Sequence, residues 1–255
     1  MKSKNKKNTH LNFFFTFIFV FSSTLALCQE TKTKNKSEDF YKQGAESFQK
    51  KQYDKAVSFW QQATKLGEEK SAYNLAWMYE NGKGVKKNSE KAFGFYLDLA
   101  KKGHSLSQYK VGIFYFYGIK MDRDIEKTLY WMEKSADQNY YKAQHMMGVF
   151  FDDGHGVERN PKRALNWYEK SAKNGNKEDM LIVAQIFEAG KTTDKDIKKA
   201  EYWYKKAYEF GAEDADLYLA QFYKSQGKKE QATKVLLQSP NRNNAKIQLF
   251  LDSLN

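Results

Sequence analysis

Apolar and polar positions follow a helical period in this chain, and one pattern returns every 36 residues. The first half of each unit has an aliphatic residue, then a small one, then an aromatic one three positions further on. The aliphatic positions are Leu75, Val111, Met147, Val183 and Leu219, the small ones Ala76, Gly112, Gly148, Ala184 and Ala220, and the aromatic ones Tyr79, Tyr115, Phe151, Phe187 and Tyr223. This spacing predicts an amphipathic helix with one tightly packed face.

The second half of each unit predicts another helix. Glycines at 82, 118, 154 and 190 suit the left-handed turn that ends the first helix. Six residues later stand the expected N-caps Asn88, Asp124, Asn160 and Asp196. The buried side of the second helix is expected to hold Ala92, Thr128, Ala164 and Ala200, followed by Phe95, Trp131, Trp167 and Trp203. Each unit closes at Gly67, Gly103, Asn139, Gly175 or Gly211.

This order of features resembles the Sel-one-like repeat, a longer-looped relative of the tetratricopeptide repeat. Residues 140–175 match best, through Ala143, Met147, Gly148, Phe151, Gly154, Gly156, Val157, Asn160, Arg163, Ala164, Trp167, Tyr168 and Gly175. The resemblance implies an all-α fold, a right-handed α-solenoid of helix-turn-helix repeats.

The repeat pattern, together with the order of basic and apolar residues at the two ends, predicts where the segments of the chain begin and end. They are a signal peptide (1–28), a basic linker (29–37), a tetratricopeptide-like first helix pair (38–67), four Sel-one-like repeats (68–211), a tetratricopeptide-like last helix pair (212–241) and a C-terminal capping helix (242–255). The capping helix is expected because the last repeat of a solenoid must cover its apolar face.

The N-terminus has the order of a secretory signal peptide: lysines from Lys2 to Lys7, an apolar run from Leu11 to Phe21, then small residues. That run is shorter than the roughly 20 residues that span a bilayer, so no integral membrane segment is expected after cleavage. We expect export, to a bacterial periplasm or outside the cell. Two interpretations of Cys28 stay open. Leu25 to Cys28 resembles the bacterial lipoprotein box, which implies a lipid anchor on Cys28; ordinary cleavage after Cys28 would leave Gln29 as the N-terminus.

Charge and composition narrow the chemistry. The net charge is +12, four of the lysines lie in the signal peptide, and no basic stripe follows, which argues against a nucleic-acid partner. Cys28 is the one cysteine, and the four histidines lack metal-ligand spacing, so neither a disulfide, a metal nor a cofactor is expected. Ser107 with Lys110, and Ser225 with Lys228, match a Ser-x-x-Lys pattern, but its partner motifs are missing.

The resemblance implies that certain first-helix positions line a concave groove. The candidate partner-binding residues are Tyr73, Trp77, Tyr109, Ile113, Phe116, Tyr117, His145, Asp152 and Asp153. Large aromatic side chains with a polar edge are typical anchors for a peptide or protein partner. The alternative is that these side chains only fill a tightly curved inner wall.

The functional prediction is therefore an exported, non-catalytic scaffold that binds a protein or peptide in this groove. Two alternatives remain open: a cell-envelope hydrolase or β-lactam-interacting enzyme built on a repeat scaffold, and an inhibitor or regulator of an envelope enzyme.

Overall fold

A computed structural model describes residue 29 and residues 31–254; the predicted signal peptide and Cys28 lie outside the described residues. In the described part, regular structure consists of six helix pairs and a terminal helix. The helices are α1 (31–49), α2 (Tyr53–Lys65), α3 (Glu69–Asn81), α4 (Ser89–Lys101), α5 (Ser105–Tyr117), α6 (Ile125–Ala136), α7 (Tyr141–Asp153), α8 (Pro161–Lys173), α9 (Lys177–Ala189), α10 (Ile197–Glu209), α11 (Ala215–Ser225), α12 (Lys229–Gln238) and α13 (Ala245–Asp252). The all-α repeat fold is confirmed.

The predicted helix boundaries follow from local chemistry. The side chains of Asn88, Asp124, Asn160 and Asp196 each accept a hydrogen bond from the backbone N–H three residues later. Each satisfies one of the N–H groups that a helix N-terminus leaves without an intrahelical partner. At the closing position of one unit, Asn139 has a φ of 64°, the left-handed conformation that glycine adopts in the other units.

Residues 31–37, which we expected to form a linker, belong to α1. The hydroxyl groups of Thr33 and Ser37 donate to the carbonyls of Gln29 and Lys34, at 2.9 and 2.8 Å. Both polar side chains are thereby satisfied inside the helix, and lysine is itself a good helix former. The basic segment therefore continues the first helix.

The chain divides into two compact units, the first ending at Lys102 and the second beginning at Gly103. The core of the first unit contains Ala56, Val57, Trp60, Leu75 and Met78. The core of the second unit runs without interruption from Met132 to Leu254. In α13, the predicted capping helix, Ile247 is 1% exposed, so this short helix closes the apolar end of the last pair.

The second helices bury a side chain at a position that was not expected on their buried side. Tyr96, Met132, Tyr168 and Tyr204 recur at the 36-residue step and are each at most 4% exposed. They follow the positions we assigned to the core, of which Trp167 and Trp203 are buried but Phe95 and Trp131 are only half-buried. Gly148 makes room for Tyr168, because a β-carbon there would lie 2.6 Å from the tyrosine ring.

Candidate partner-binding surface

In the second unit, side chains at equivalent positions of α5, α7 and α9 reach the surface. We call this set the first-helix surface: Tyr109, Ile113, Phe116, Tyr117, His145, Val149, Asp152, Asp153, Leu181, Gln185 and Glu188. Side chains join neighbouring first helices directly. The ring of Phe116 on α5 lies 5.6 Å from that of Phe150 on α7, and His145 on α7 contacts Asp179 on α9. The surface is therefore continuous over these three helices.

The α5 part of this surface is aromatic. Tyr117 is 67% exposed, and its ring meets the ring of Phe116 edge-on at 4.9 Å. The guanidinium of Arg123 lies 5.0 Å from the Phe116 ring centre. Tyr109 packs edge-on against Tyr140 at 5.2 Å, and burial raises the pKa of Tyr109. Phe116 and Tyr109 are thus partly held by the fold, whereas Tyr117 projects into solvent.

His145, a predicted binding residue, is bonded within the fold. Its Nδ1 donates to Oδ1 of Asp179 at 2.7 Å, and Asp179 has no exposed surface. The amide of Asn176 donates to the other oxygen of Asp179 at 3.0 Å. The hydrogen bond to Asp179 raises the pKa of His145 despite the opposing effect of burial. His145 therefore hydrogen-bonds a buried carboxyl group, and a third of its side chain stays exposed.

The α7 and α9 parts of the surface carry carboxylates next to buried tyrosines. The hydroxyl of Tyr204 donates to Glu188 at 2.7 Å, and in the first unit Tyr96 donates to Glu80 at 2.8 Å. The tyrosine follows the carboxylate by 16 residues in both cases. Tyr168 follows Asp152 by the same interval. Burial, and to a smaller extent the charge of Asp152, raise the pKa of Tyr168. The tyrosines recur in the sequence at 96, 168 and 204, which is the signal that could have revealed this arrangement.

Asp152 and Asp153 close α7. Arg159 donates through Nε to the backbone carbonyl of Asp152 at 2.7 Å, and its guanidinium lies 3.8 Å from the carboxylate. The side chain of Arg159 is 67% exposed and that of Asp152 is 44% exposed, and Asp153 is exposed as well. Exposed pairs of this kind contribute little to stability, so these carboxylates stay accessible to another cation.

The first unit contains the other two candidates, Tyr73 and Trp77. The Tyr73 ring lies 5.5 Å from that of Tyr96, and burial raises the pKa of Tyr73. Trp77 is half-buried against the core of its unit and meets Phe48 edge-on at 5.8 Å. Both residues therefore contribute to packing, which was the alternative role considered from the sequence.

In the part of the chain that the structure describes, the serines of both Ser-x-x-Lys patterns are hydrogen-bonded within the fold. Ser107 has no exposed surface, and its hydroxyl lies 2.8 Å from Nδ1 of His104 at the start of α5. Ser225 donates to the carbonyl of Phe222, and Lys228 pairs with Glu201 at 3.3 Å. Among residue 29 and residues 31–254, no three His, Cys, Asp or Glu side chains are grouped so that they could hold a metal ion. None of the helices described is both long and apolar enough to cross a bilayer.

Comparison with known families identifies the repeat. The Sel1 repeat model matches five segments, 39–68, 70–104, 105–140, 142–176 and 178–209, and so covers more than half of the chain. The match includes the first helix pair, which has the short turn, and it ends before α11.

Solved structures show the same fold. A Sel1 repeat protein from Oxalobacter formigenes superposes with a TM-score of 0.72 at 24% identity, over 84% of this chain and 89% of that one. A protective antigen of uropathogenic Escherichia coli strains with an SLR fold gives 0.67 at 23% identity, over 87% of this chain. This chain spans 48% of that antigen's length. A search of curated proteins gave no match.

Proposed function

Because the chain belongs to the Sel1 repeat family, we propose that it is a non-catalytic scaffold that binds a segment of a protein partner on the first-helix surface. Repeat proteins of this kind offer extended surfaces for binding, and protein interaction is their common role. The part of the partner that contacts the surface is an extended segment with an apolar side chain for the aromatic α5 part and positive charge for the acidic α7 and α9 parts.

The exposure of Tyr117 is the observation that carries this proposal. A tyrosine that only filled the interior of the repeat would be covered, yet Tyr117 is 67% exposed beside the ring of Phe116. Tyrosine is enriched among the residues that dominate binding energy at interfaces. At the equivalent positions of α7, Asp152 and Asp153 add carboxylates that complement a basic segment.

Export is part of the same proposal. The basic, apolar and small-residue order of residues 1–28 supports secretion to a bacterial periplasm or the exterior, with a lipid anchor on Cys28 as the alternative form. The mass of the mature chain distinguishes the two: a free N-terminus at Gln29 supports the soluble form, and an acylated Cys28 supports the lipoprotein. An uncleaved chain would contradict export by this route.

The binding proposal is tested by affinity capture from the producing cells followed by cross-linking to locate the contact. Tyr117→Ser should lose the partner, whereas Tyr202→Ser, a matched change at a 52% exposed tyrosine on the second helix α10, should retain it. Circular dichroism should show equal helicity for both variants. Retention by Tyr117→Ser together with loss by Tyr202→Ser would place binding on the second helices and overturn the proposal.

A further inference from the structure

The last turns of the helices differ in charge in a way that helix stability does not explain. The second helices α6, α8 and α10 carry lysine in their last turns, where the negative end of the helix dipole favours a cation. The first helices α7 and α9 have no basic residue there. They carry Asp152, Asp153 and Glu188 instead. These carboxylates stand where the dipole disfavours them, in a chain whose net charge is +12.

The structure also holds one of these carboxylates, that of Glu188, in place through a buried side chain. Tyr204, 3% exposed, donates its hydroxyl to one oxygen of Glu188, and the hydroxyl of Ser225 approaches the other at 3.4 Å. Tyr168, 4% exposed, stands in the same 16-residue relation to Asp152. A carboxylate oxygen accepts more than one hydrogen bond, so a pinned carboxylate can still bind an incoming cation. Because the carboxylate is already held in place, less conformational entropy is lost when a ligand binds to it.

The equivalent pair in α5 and α6 is apolar. Phe116 takes the place of the carboxylate and Met132, 16 residues later, takes the place of the tyrosine. Along α5, α7 and α9 the surface therefore presents one apolar position followed by two anionic ones.

The spacing of these positions sets the spacing of a matching ligand. Side chains of α5 and α7, and of α7 and α9, are in contact, and helices whose side chains pack together lie about 8–10 Å apart. An extended chain rises about 3.3 Å per residue. One repeat therefore corresponds to about three residues of an extended segment that crosses the first helices.

We propose that the partner segment is basic, with an apolar side chain on Phe116 and a lysine or arginine at each of two following three-residue steps, bound by Asp152 and Glu188. This inference rests on the proposed function and specifies the ligand of that same surface. The ligand's cation displaces Arg159 from Asp152. The guanidinium and the carboxylate of this pair lie 3.8 Å apart at the surface.

The test is a selection of random twelve-residue peptides displayed against the purified chain. The expected result is enrichment of an apolar residue with two basic residues at three-residue intervals. The same selection against a double variant, Asp152→Asn with Glu188→Gln, should keep the apolar residue and lose both basic ones. Enrichment of acidic or uncharged peptides that need Tyr117 would overturn this inference and the positive charge assigned to the segment, and would leave standing only the binding of a protein segment on the first-helix surface. If the enriched peptides bind the Tyr117→Ser variant as tightly as the unchanged protein, both this inference and the proposed function are overturned.

A second measurement isolates the role of the buried hydroxyl group. Tyr204→Phe removes the hydrogen bond to Glu188 but keeps the ring, and should weaken the binding of an enriched lysine peptide about three- to tenfold, the range for one ordinary intramolecular hydrogen bond. Tyr223→Phe is the matched control, because the Tyr223 hydroxyl donates at 3.2 Å to Glu201 on the second helix α10. An equal loss in both variants would contradict the positioning role of Tyr204.

Discussion

Nδ1 of His145 lies 2.7 Å from Oδ1 of Asp179, a carboxylate with no exposed surface. Asp179 occupies the position that earlier repeats fill with Ser71, Ser107 and Ala143. A buried carboxylate is costly unless it is paired and hydrogen-bonded, so this contact ties α7 to α9 at a point where other repeats need only a small side chain.

The pair makes stability depend on pH. The hydrogen bond from His145 to Asp179, together with the charges of Asp179 and Glu178, raises the pKa of His145 above its unfolded value of about 6.5. A raised folded pKa means that the stabilisation is fully present below about pH 6.5 and is lost as the pH rises through the folded value. Urea unfolding between pH 5 and pH 9 should show this decline in the free energy of unfolding.

The control for this prediction is the exposed histidine of the following loop. His155→Asn should retain the decline above pH 6.5, and His145→Asn should remove it. An NMR titration of the His145 ring with a midpoint at or below the unfolded value would show that the pair does not stabilise the imidazolium.

Gly148→Ala should destabilise the protein although alanine is the better helix former. A β-carbon would lie 2.6 Å from the ring of Tyr168, which is buried and cannot move aside. Overpacking of this kind typically costs about 1–3 kcal/mol. Gly94→Ala in α4 is the matched control, since nothing lies within 4 Å of a β-carbon there and the change should stabilise by about 0.5–1 kcal/mol. Equal urea midpoints for the two variants would contradict the close contact.

Trp167→Ala should lower the free energy of unfolding by about 3–5 kcal/mol, the range for deleting a buried large aromatic side chain. Trp167 is 7% exposed and also has the Lys170 ammonium 4.1 Å from its ring. Trp77→Ala should lower the free energy of unfolding by less, because Trp77 is only half-buried. The loss should still be measurable, because the ring of Trp77 contacts that of Phe48. Urea melts that rank Trp77 above Trp167 would contradict this assignment of burial.

Chelators and reductants should leave the fold intact. The one cysteine is Cys28, and the described residues include no group that could hold a metal ion. The far-ultraviolet circular dichroism spectrum and melting temperature are therefore expected to stay the same with and without each reagent. Loss of helicity with a chelator would reveal a bound metal that supports folding.

The candidate site was only partly predictable from the sequence. The resemblance to the repeat family implied Tyr117, Asp152 and Asp153 as groove-lining positions, and the side chains of these residues reach the surface. The sequence did not reveal that His145 contacts Asp179, since the two residues lie 34 positions apart and belong to different repeats. Their contact depends on how α7 packs on α9.

What the sequence alone determined is local: helix positions, caps at residues such as Asn160, and the turns that need glycine or Asn139. These features depend on neighbouring residues, so a repeated pattern specifies them. The tertiary structure decided which of the aromatic positions in a second helix are buried. It placed Tyr204 inside against Glu188 and left half of Tyr202 in solvent, because burial depends on the faces that neighbouring helices cover.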